Sequence, residues 1–287
     1  MNAVHKCGLG MFRGATVAMS LLLSAAATAQ GQGLADIEKN VQLCNRVADV
    51  SPDARIGGCT ALINSGAQTA RTLAIAYNNR GNAYIRQGEY DRAIEDYNQS
   101  LKADPDYARA FNNRGIAFQK KGELDRAIQD FDRSISLYPV AGSVFANRAE
   151  TYRKKGDHAR ALRDYDEAIR LEPKLEGVWN ARCWTRAIVG ELKLALADCN
   201  ESLRLEPKAA AGFDSRGLTY LKMGQLDAAL ADYNSALRLE PKTAGSLYGR
   251  GLIKLRRGDS AGGNADIAAA IAIEPNIKGD FARYGVQ

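Results

Sequence analysis

The stretch Tyr77-Asn78-Asn79-Arg80-Gly81-Asn82-Ala83-Tyr84, continued by Tyr90-Asp91-Arg92-Ala93-Ile94-Glu95-Asp96-Tyr97 and closed at Pro105, decides how this chain folds. Between Ala74 and Gln87, Tyr77, Tyr84 and Ile85 recur at helical spacing, and Gly88 supplies the left-handed conformation that ends a helix. Glu89 and Asp91 then favour the positive end of a second helix, whose apolar edge is Ala93, Ile94, Tyr97 and Leu101. Pro105 stops it, because the residue before a proline is pushed out of the helical region. Gly81 and Ala93 leave room for two antiparallel helices to approach, and Tyr97 fills the space between them.

The same hairpin returns along the chain. Pro105, Pro139, Pro173, Pro207, Pro241 and Pro275 each follow the last by 34 residues, a period that marks stacked repeats. Gly88, Gly122, Gly156, Gly190, Gly224 and Gly258 keep the same step, as do Ala93, Ala127, Ala161, Ala195 and Ala229, with Gly263 in the sixth place. Bulky residues recur at Tyr77, Phe111, Phe145, Trp179, Phe213 and Leu247, and at Tyr97, Phe131, Tyr165, Cys199, Tyr233 and Ile267. One such hairpin cannot bury its own apolar stripe, so the pairs must stack. The reading is an all-α chain of antiparallel helix hairpins, six of them over residues 74–275.

In residue type, order and period the quoted segments resemble the tetratricopeptide repeat. The resemblance covers residues 74 to about 275 and implies a right-handed α-solenoid whose inner, first-helix surface holds a peptide or protein partner. It implies no catalytic activity and no cofactor. Some members grip a carboxylate terminus with lysine, arginine and asparagine; the matching places, Asn78, Asn82, Asn113, Ser143 and Asn147, keep the asparagines and lack the cations. Departures fall at Cys183 in the Gly81 column, Arg186 and Lys254 in the Tyr84 column, and Gly263 in the Ala93 column, so the fourth and sixth repeats are expected to pack less regularly.

Two columns are strict: Arg80, Arg114, Arg148, Arg182, Arg216 and Arg250, and Asp96, Asp130, Asp164, Asp198, Asp232 and Asp266. Each Arg and its Asp are nearly equidistant from the turn between their helices, so they stand level, and the planar guanidinium fork matches a carboxylate. A ladder of Arg/Asp pairs, within repeats or across neighbours, is expected. Cys183 and Cys199 are level in the same way about Gly190 and Glu191, and Cys44 and Cys59 about Ser51 and Pro52. Four cysteines allow three connectivities; the symmetry favours Cys44 with Cys59 and Cys183 with Cys199, against the alternative of two buried thiols at the second pair.

At the start of the chain His5, Lys6 and Arg13 precede an apolar run from Ala15 to Ala27, and Ala27-Thr28-Ala29 has the small-x-small pattern of a signal-peptidase site. The run is shorter than a membrane span. Residues 1–29 are read as a cleaved signal peptide, 30–73 as a helical hairpin cap stapled by a disulfide, and 276–287 as a capping tail with Ile277, Phe281 and Tyr284 at near-helical spacing. Cleavage leaves four cysteines for an oxidising compartment, so the expected location is periplasmic or secreted, with no membrane insertion after cleavage.

The whole chain has 287 residues, 46% hydrophobic and 25% charged, so it can bury a core; its net charge of +6, without a run of like charges, gives little for nucleic acid to hold. His158 is the one histidine beyond the leader, too little for a Ser/His/Asp, Cys/His or zinc centre, and no enzyme activity, metal or cofactor is expected.

The candidate partner groove runs along the first helices. Asn78, Asn82, Arg86, Asn112, Gln119 and Arg153 make its amide-rich and charged half, with Ile116, Glu150 and Ala187 beside them. Trp184, Leu218, Leu221, Tyr248, Leu252 and Leu255 make an apolar strip, over which a partner segment or the chain's own tail would lie. The expected role is a scaffold holding a protein or peptide segment of an envelope protein. A self-assembling structural oligomer and an accessory subunit of an envelope enzyme complex are the alternatives.

Overall fold

The computed structural model describes residues 35–45, 50–66 and 68–286; the expected leader over 1–29 lies outside them. Among the described residues there are fifteen helices and no strand. α1 covers 35–45 and α2 Pro52–Asn64. Six pairs follow. They are α3 Ala70–Gln87 with α4 Tyr90–Ala103, α5 Ala108–Lys120 with α6 Leu124–Leu137, and α7 Gly142–Lys154 with α8 His158–Leu171. Then come α9 Val178–Val189 with α10 Leu192–Leu205, α11 Ala210–Lys222 with α12 Leu226–Leu239, and α13 Ala244–Arg256 with α14 Ser260–Ile273; α15 is Ile277–Arg283. The chain is an all-α solenoid, divided into two compact units, one running to Asn113 and one from Arg114.

The punctuation does what the residue types require. Gly88 sits at φ 77°, its N–H on the Ile85 carbonyl, while the Glu89 N–H closes on Tyr84. Pre-proline residues leave the helical region: Asp104 at φ −139°, Glu172 at −135°, Glu206 at −127° and Glu240 at −133°. α3 starts at Ala70, four residues ahead of the expected 74, because the Thr69 hydroxyl accepts from the Thr72 N–H and caps it.

Close approach of paired helices fixes the small-residue column. A Cβ on Gly115 would lie 2.8 Å from the Phe131 ring, and one on Gly217 2.9 Å from Tyr233. Phe131 and Tyr233 are wholly buried. In the fourth pair that contact is replaced by the Cys183–Cys199 disulfide, with Cα atoms 5.3 Å apart and both residues buried. Cys44 and Cys59 are joined likewise, with Cα atoms 4.7 Å apart. The α1–α2 hairpin is in phase with the repeats: Asn45 accepts from Asn79, and Asp53 from Gln87, each pair 34 residues apart. Closing a loop of about 15 residues stabilises by about 3 kcal/mol. Replacing Cys44 and Cys59 by serine should therefore raise amide exchange in α2 by about that free energy. Unreduced protein should offer none of its four bridged cysteines to an alkylating reagent; alkylation at Cys183 or Cys199 would count against the second bridge.

The arginine and aspartate columns form six bidentate pairs. In each, Nε and Nη2 of the Arg meet the two carboxylate oxygens of its Asp at 2.7–2.9 Å. The third guanidinium nitrogen reaches back one repeat: Arg148 to Asp132, Arg182 to Asp166, Arg216 to Asn200 and Arg250 to Asn234. Each of these arginines thus ties its own hairpin and the preceding one.

The departures strengthen this ladder. In the first three repeats the Tyr84-column aromatic lies under an arginine from the second helix: Arg92 over Tyr84, Arg126 over Phe118 and Arg160 over Tyr152. In the fourth, Arg186 itself donates to Asp198 at 2.7 Å, and in the sixth Lys254 stands 2.9 Å from Asp266. The expected irregularity is absent at these two positions because the cations bond to the ladder. Gly263 replaces alanine because Leu255 presses there, 2.7 Å from where a Cβ would be.

Candidate functional site

In the first unit the first-helix face is a chain of amides. Asn79 donates to Asn45 at 3.0 Å, Asn78 to Asn79 at 3.3 Å, Asn113 to Asn78 at 2.9 Å and Asn112 to Asn113 at 3.1 Å. Asn78 is 3% exposed, and both ends of its amide are engaged, so it organises the face from beneath. That corrects its reading as a groove contact. Asn82 accepts from the buried Tyr97 hydroxyl at 2.7 Å, and Arg86 is exposed.

In the second unit Gln119 donates to Thr151 Oγ1 at 2.7 Å, bracing α5 against α7. Arg153 pairs with Glu150 on its own helix and lies 4.8 Å from the Trp184 ring. Burial works against the Arg153 charge, and Glu150 outweighs it and holds the guanidinium pKa above its ordinary value. Glu150, Arg153, Asn180, Ala181 and Trp184 line a cleft of about 230 Å³. Asn180 Oδ1 is buried there without a hydrogen-bond partner. A larger open hollow of about 580 Å³ runs along the single turn Glu172–Glu176.

The apolar strip is filled. Leu218, Leu221 and Tyr248 are 4–6% exposed and pack with Ile277, Phe281 and Val286; Leu252, Trp184 and Tyr284 border them. The Phe281 ring lies 4.8 Å from Tyr248, and the Tyr284 ring meets Trp184 edge-on at 5.3 Å. Of the two occupants expected over these residues, a partner segment or the chain's own tail, the tail covers them here: Phe281 and Tyr284 bury the aromatic and leucine surface that water would otherwise wet. Leu255 leaves the strip altogether and packs on α14.

One titratable group escaped the sequence reading. Asp214 on α11 accepts from the Ser246 hydroxyl and has no ion-pair partner among the described residues; burial pushes its carboxyl up to about 6 against that hydrogen bond. It stands in the column of Asn78, Asn112 and Asn180, so an acid in an amide column was the available signal. His158 begins α8 half-buried, with Nδ1 unpartnered; burial and then Arg153 lower its pKa. Among the described residues no group of three or more His, Cys, Asp or Glu is placed to hold a metal ion, and no helix is long and apolar enough to cross a membrane.

Hairpins locked by an Arg/Asp ladder, with amides and aromatics gathered on the first helices, define a helical-repeat binding scaffold. Sequence profiles agree: one described as TPR repeat matches residues 81–122 and 217–258, and two described as tetratricopeptide repeat match 108–139 and 143–175. The matched segments, residues 81–139, 143–175 and 217–258, are tetratricopeptide repeats. No curated protein matches it. Among solved structures it is similar to a chain of the APC/C hetero-tetramer Cut9-Hcn1, with 17% identity over 88% of this chain and 51% of that one, and a TM-score of 0.67. This chain thus spans about half of that one's length. It is also similar to YrrB, described as a TPR protein with an unusual peptide-binding site (22% identity, 67% of this chain, 97% of that chain, TM-score 0.55). PilW, a type IV pilus biogenesis factor, is similar at 21% identity over 71% of this chain and 94% of that chain, with a TM-score of 0.63. At these identities the likeness is one of fold, and the fold is that of protein–protein interaction scaffolds.

Proposed function

We propose that this protein is an exported scaffold that holds a segment of another envelope protein against its first-helix face. The observation that carries the reading is the ladder: the six column arginines are matched by buried aspartates, so the recurring charge is structural and the face is left with amides and aromatics suited to a polypeptide. The leader-like residues 1–29 and the two disulfides support an oxidising compartment. The solved peptide-binding and pilus-biogenesis relatives in fold are compatible with it.

A photo-crosslinking residue placed at Arg86, on the first-helix face, should trap a discrete envelope protein in intact cells, whereas the same residue at Glu95 on α4 should not. Equal trapping at both positions, or trapping of cytoplasmic proteins alone, would overturn the proposal.

A further inference from the structure

The 34-residue step places Phe281 in the bulky first-helix column, after Tyr77 through Leu247, and Tyr284 in the column where the other repeats have arginine. On that arithmetic α15 is the opening of a seventh pair, stacked on the sixth. The structure does something else with it. Tyr284 meets Trp184, a residue of the fourth pair, and Phe281 meets Tyr248 on α13, so α15 lies back along the first helices of the fourth to sixth pairs. Ile277, Phe281 and Val286 are buried, while Lys278, Ala282 and Arg283 face solvent. The ion pair on α15 is internal, Arg283 to Asp280. A helix of seven residues does not persist alone in water and takes its order from the surface beneath it.

Two further features fit a docked element. Tyr284 stands where an arginine would join the ladder, so α15 lacks the bidentate pair that fastens the first helix of each of the six pairs. The wall beneath is completed without it: Lys222 Nζ donates to the Ala187 carbonyl at 2.6 Å and to the Ile188 carbonyl at 3.2 Å, tying α11 to α9.

We propose that α15, with the turn after it through Val286, is a built-in occupant of this strip, displaced by a partner segment that presents two aromatic side chains and an aliphatic one on one side. The occupant specifies the chemistry: Phe281 over Tyr248, Tyr284 against Trp184 and Val286 in the leucine surface are the places a partner must fill. The proposal rests on the reading of the first-helix face as the binding surface, and it adds that the strip is closed until such a segment competes. Tethering at Glu274–Pro275 gives α15 a high effective concentration, so a partner of merely equal affinity cannot displace it.

The test uses a fluorescent peptide with the sequence of residues 275–286 and two full-length proteins, wild type and F281A/Y284A. The variant should bind the peptide at least tenfold more tightly than wild type, and a peptide carrying both alanine changes should bind neither. Tyr284→Ala alone, which removes the contact to Trp184 and leaves Phe281 docked, should red-shift Trp184 emission, and the peptide should reverse the shift. Equal binding to wild type and variant, or no peptide binding and no reversal with helical content retained, would overturn the proposal. Because the probe is the chain's own segment, this result is independent of crosslinking at Arg86, and the two proposals can fail separately.

Discussion

Asp198→Ala should be the most damaging single substitution in the ladder, costing about 3–5 kcal/mol, the range for removing one member of a buried ion pair. Asp198 is 2% exposed and holds two guanidinium groups: Arg182 through both oxygens at 2.7 and 2.9 Å, and Arg186 at 2.7 Å. Burial works against the Arg182 charge, and Asp198 with Asp166 outweighs it, keeping its pKa raised. Without Asp198 both arginines turn to Asp166, whose side chain is 53% exposed and already serves Arg182 from the preceding repeat. Neither α9 nor α10 can move aside, because Cys183 and Cys199 bridge them.

A stack of repeats can open locally, so the measurement is amide exchange in α9 and α10 together with the urea midpoint. Asp232→Ala should cost less, since Asp232 meets one guanidinium, Arg216, whose remaining nitrogen keeps Asn200. In a double-mutant cycle, Arg182→Ala with Asp198→Ala should show a coupling well above 1 kcal/mol. Equal, small losses for Asp198→Ala and Asp232→Ala would mean that the ladder is surface decoration.

The ladder was legible because two identities recur without exception at one step, and a hairpin turn at a known glycine puts them level. Its reach into the preceding repeat was harder to see. The receiving column reads Asn98, Asp132, Asp166, Asn200 and Asn234, and a mixture of amide and acid looks like an ordinary solvated face. Arg186 and Lys254 read as faults in an aromatic column, and only the three-dimensional position of Asp198 and Asp266 shows that they reinforce it.

The cysteine pairing followed from the turn symmetry, and the start of α3 did not, because Thr69 lies outside the repeated pattern. In the candidate site, residue type placed the amides and the strip on the first helices. Whether an amide faced outward or braced its neighbour depended on the adjacent repeat, as Asn78 beneath Asn113 shows. The fold-back of α15 was open in the sequence for a related reason. Periodicity assigns Phe281 to a stacking position, and the pull of Trp184 and Tyr248 on Tyr284 and Phe281 is a long-range contact that no local pattern encodes.

Asp214→Asn should stabilise the fifth and sixth pairs at pH 8 by about 1–3 kcal/mol, and the gain should vanish near pH 4. Asp214 lies half-buried between α11 and α13. Its carboxylate takes the Ser246 hydroxyl, and a Cβ on Gly245 would come within 3.2 Å of Oδ2. The nearby Tyr233 hydroxyl is buried without a partner, and burial, then Asp214 and Asp232, push its phenol pKa well up. Burial raises the Asp214 carboxyl to about 6, above the unfolded value of about 3.9. A folded pKa above the unfolded one means that the fold disfavours the ionised form. Below about pH 4 both states are protonated and nothing is lost; between about 4 and 6 the unfolded state ionises first and stability falls as pH rises; above about 6 the penalty is constant, at about 3 kcal/mol for a shift of about two units. Asparagine keeps the acceptor for Ser246 and removes the titration, so the wild type should lose stability relative to the variant across that window. The check is amide exchange in α11 and α13 for both proteins from pH 4 to 8. A difference that does not change with pH would show that the Asp214 charge is neutralised in the fold. Loss of stability in Asp214→Asn at pH 8 would show that the negative charge itself holds the two pairs together.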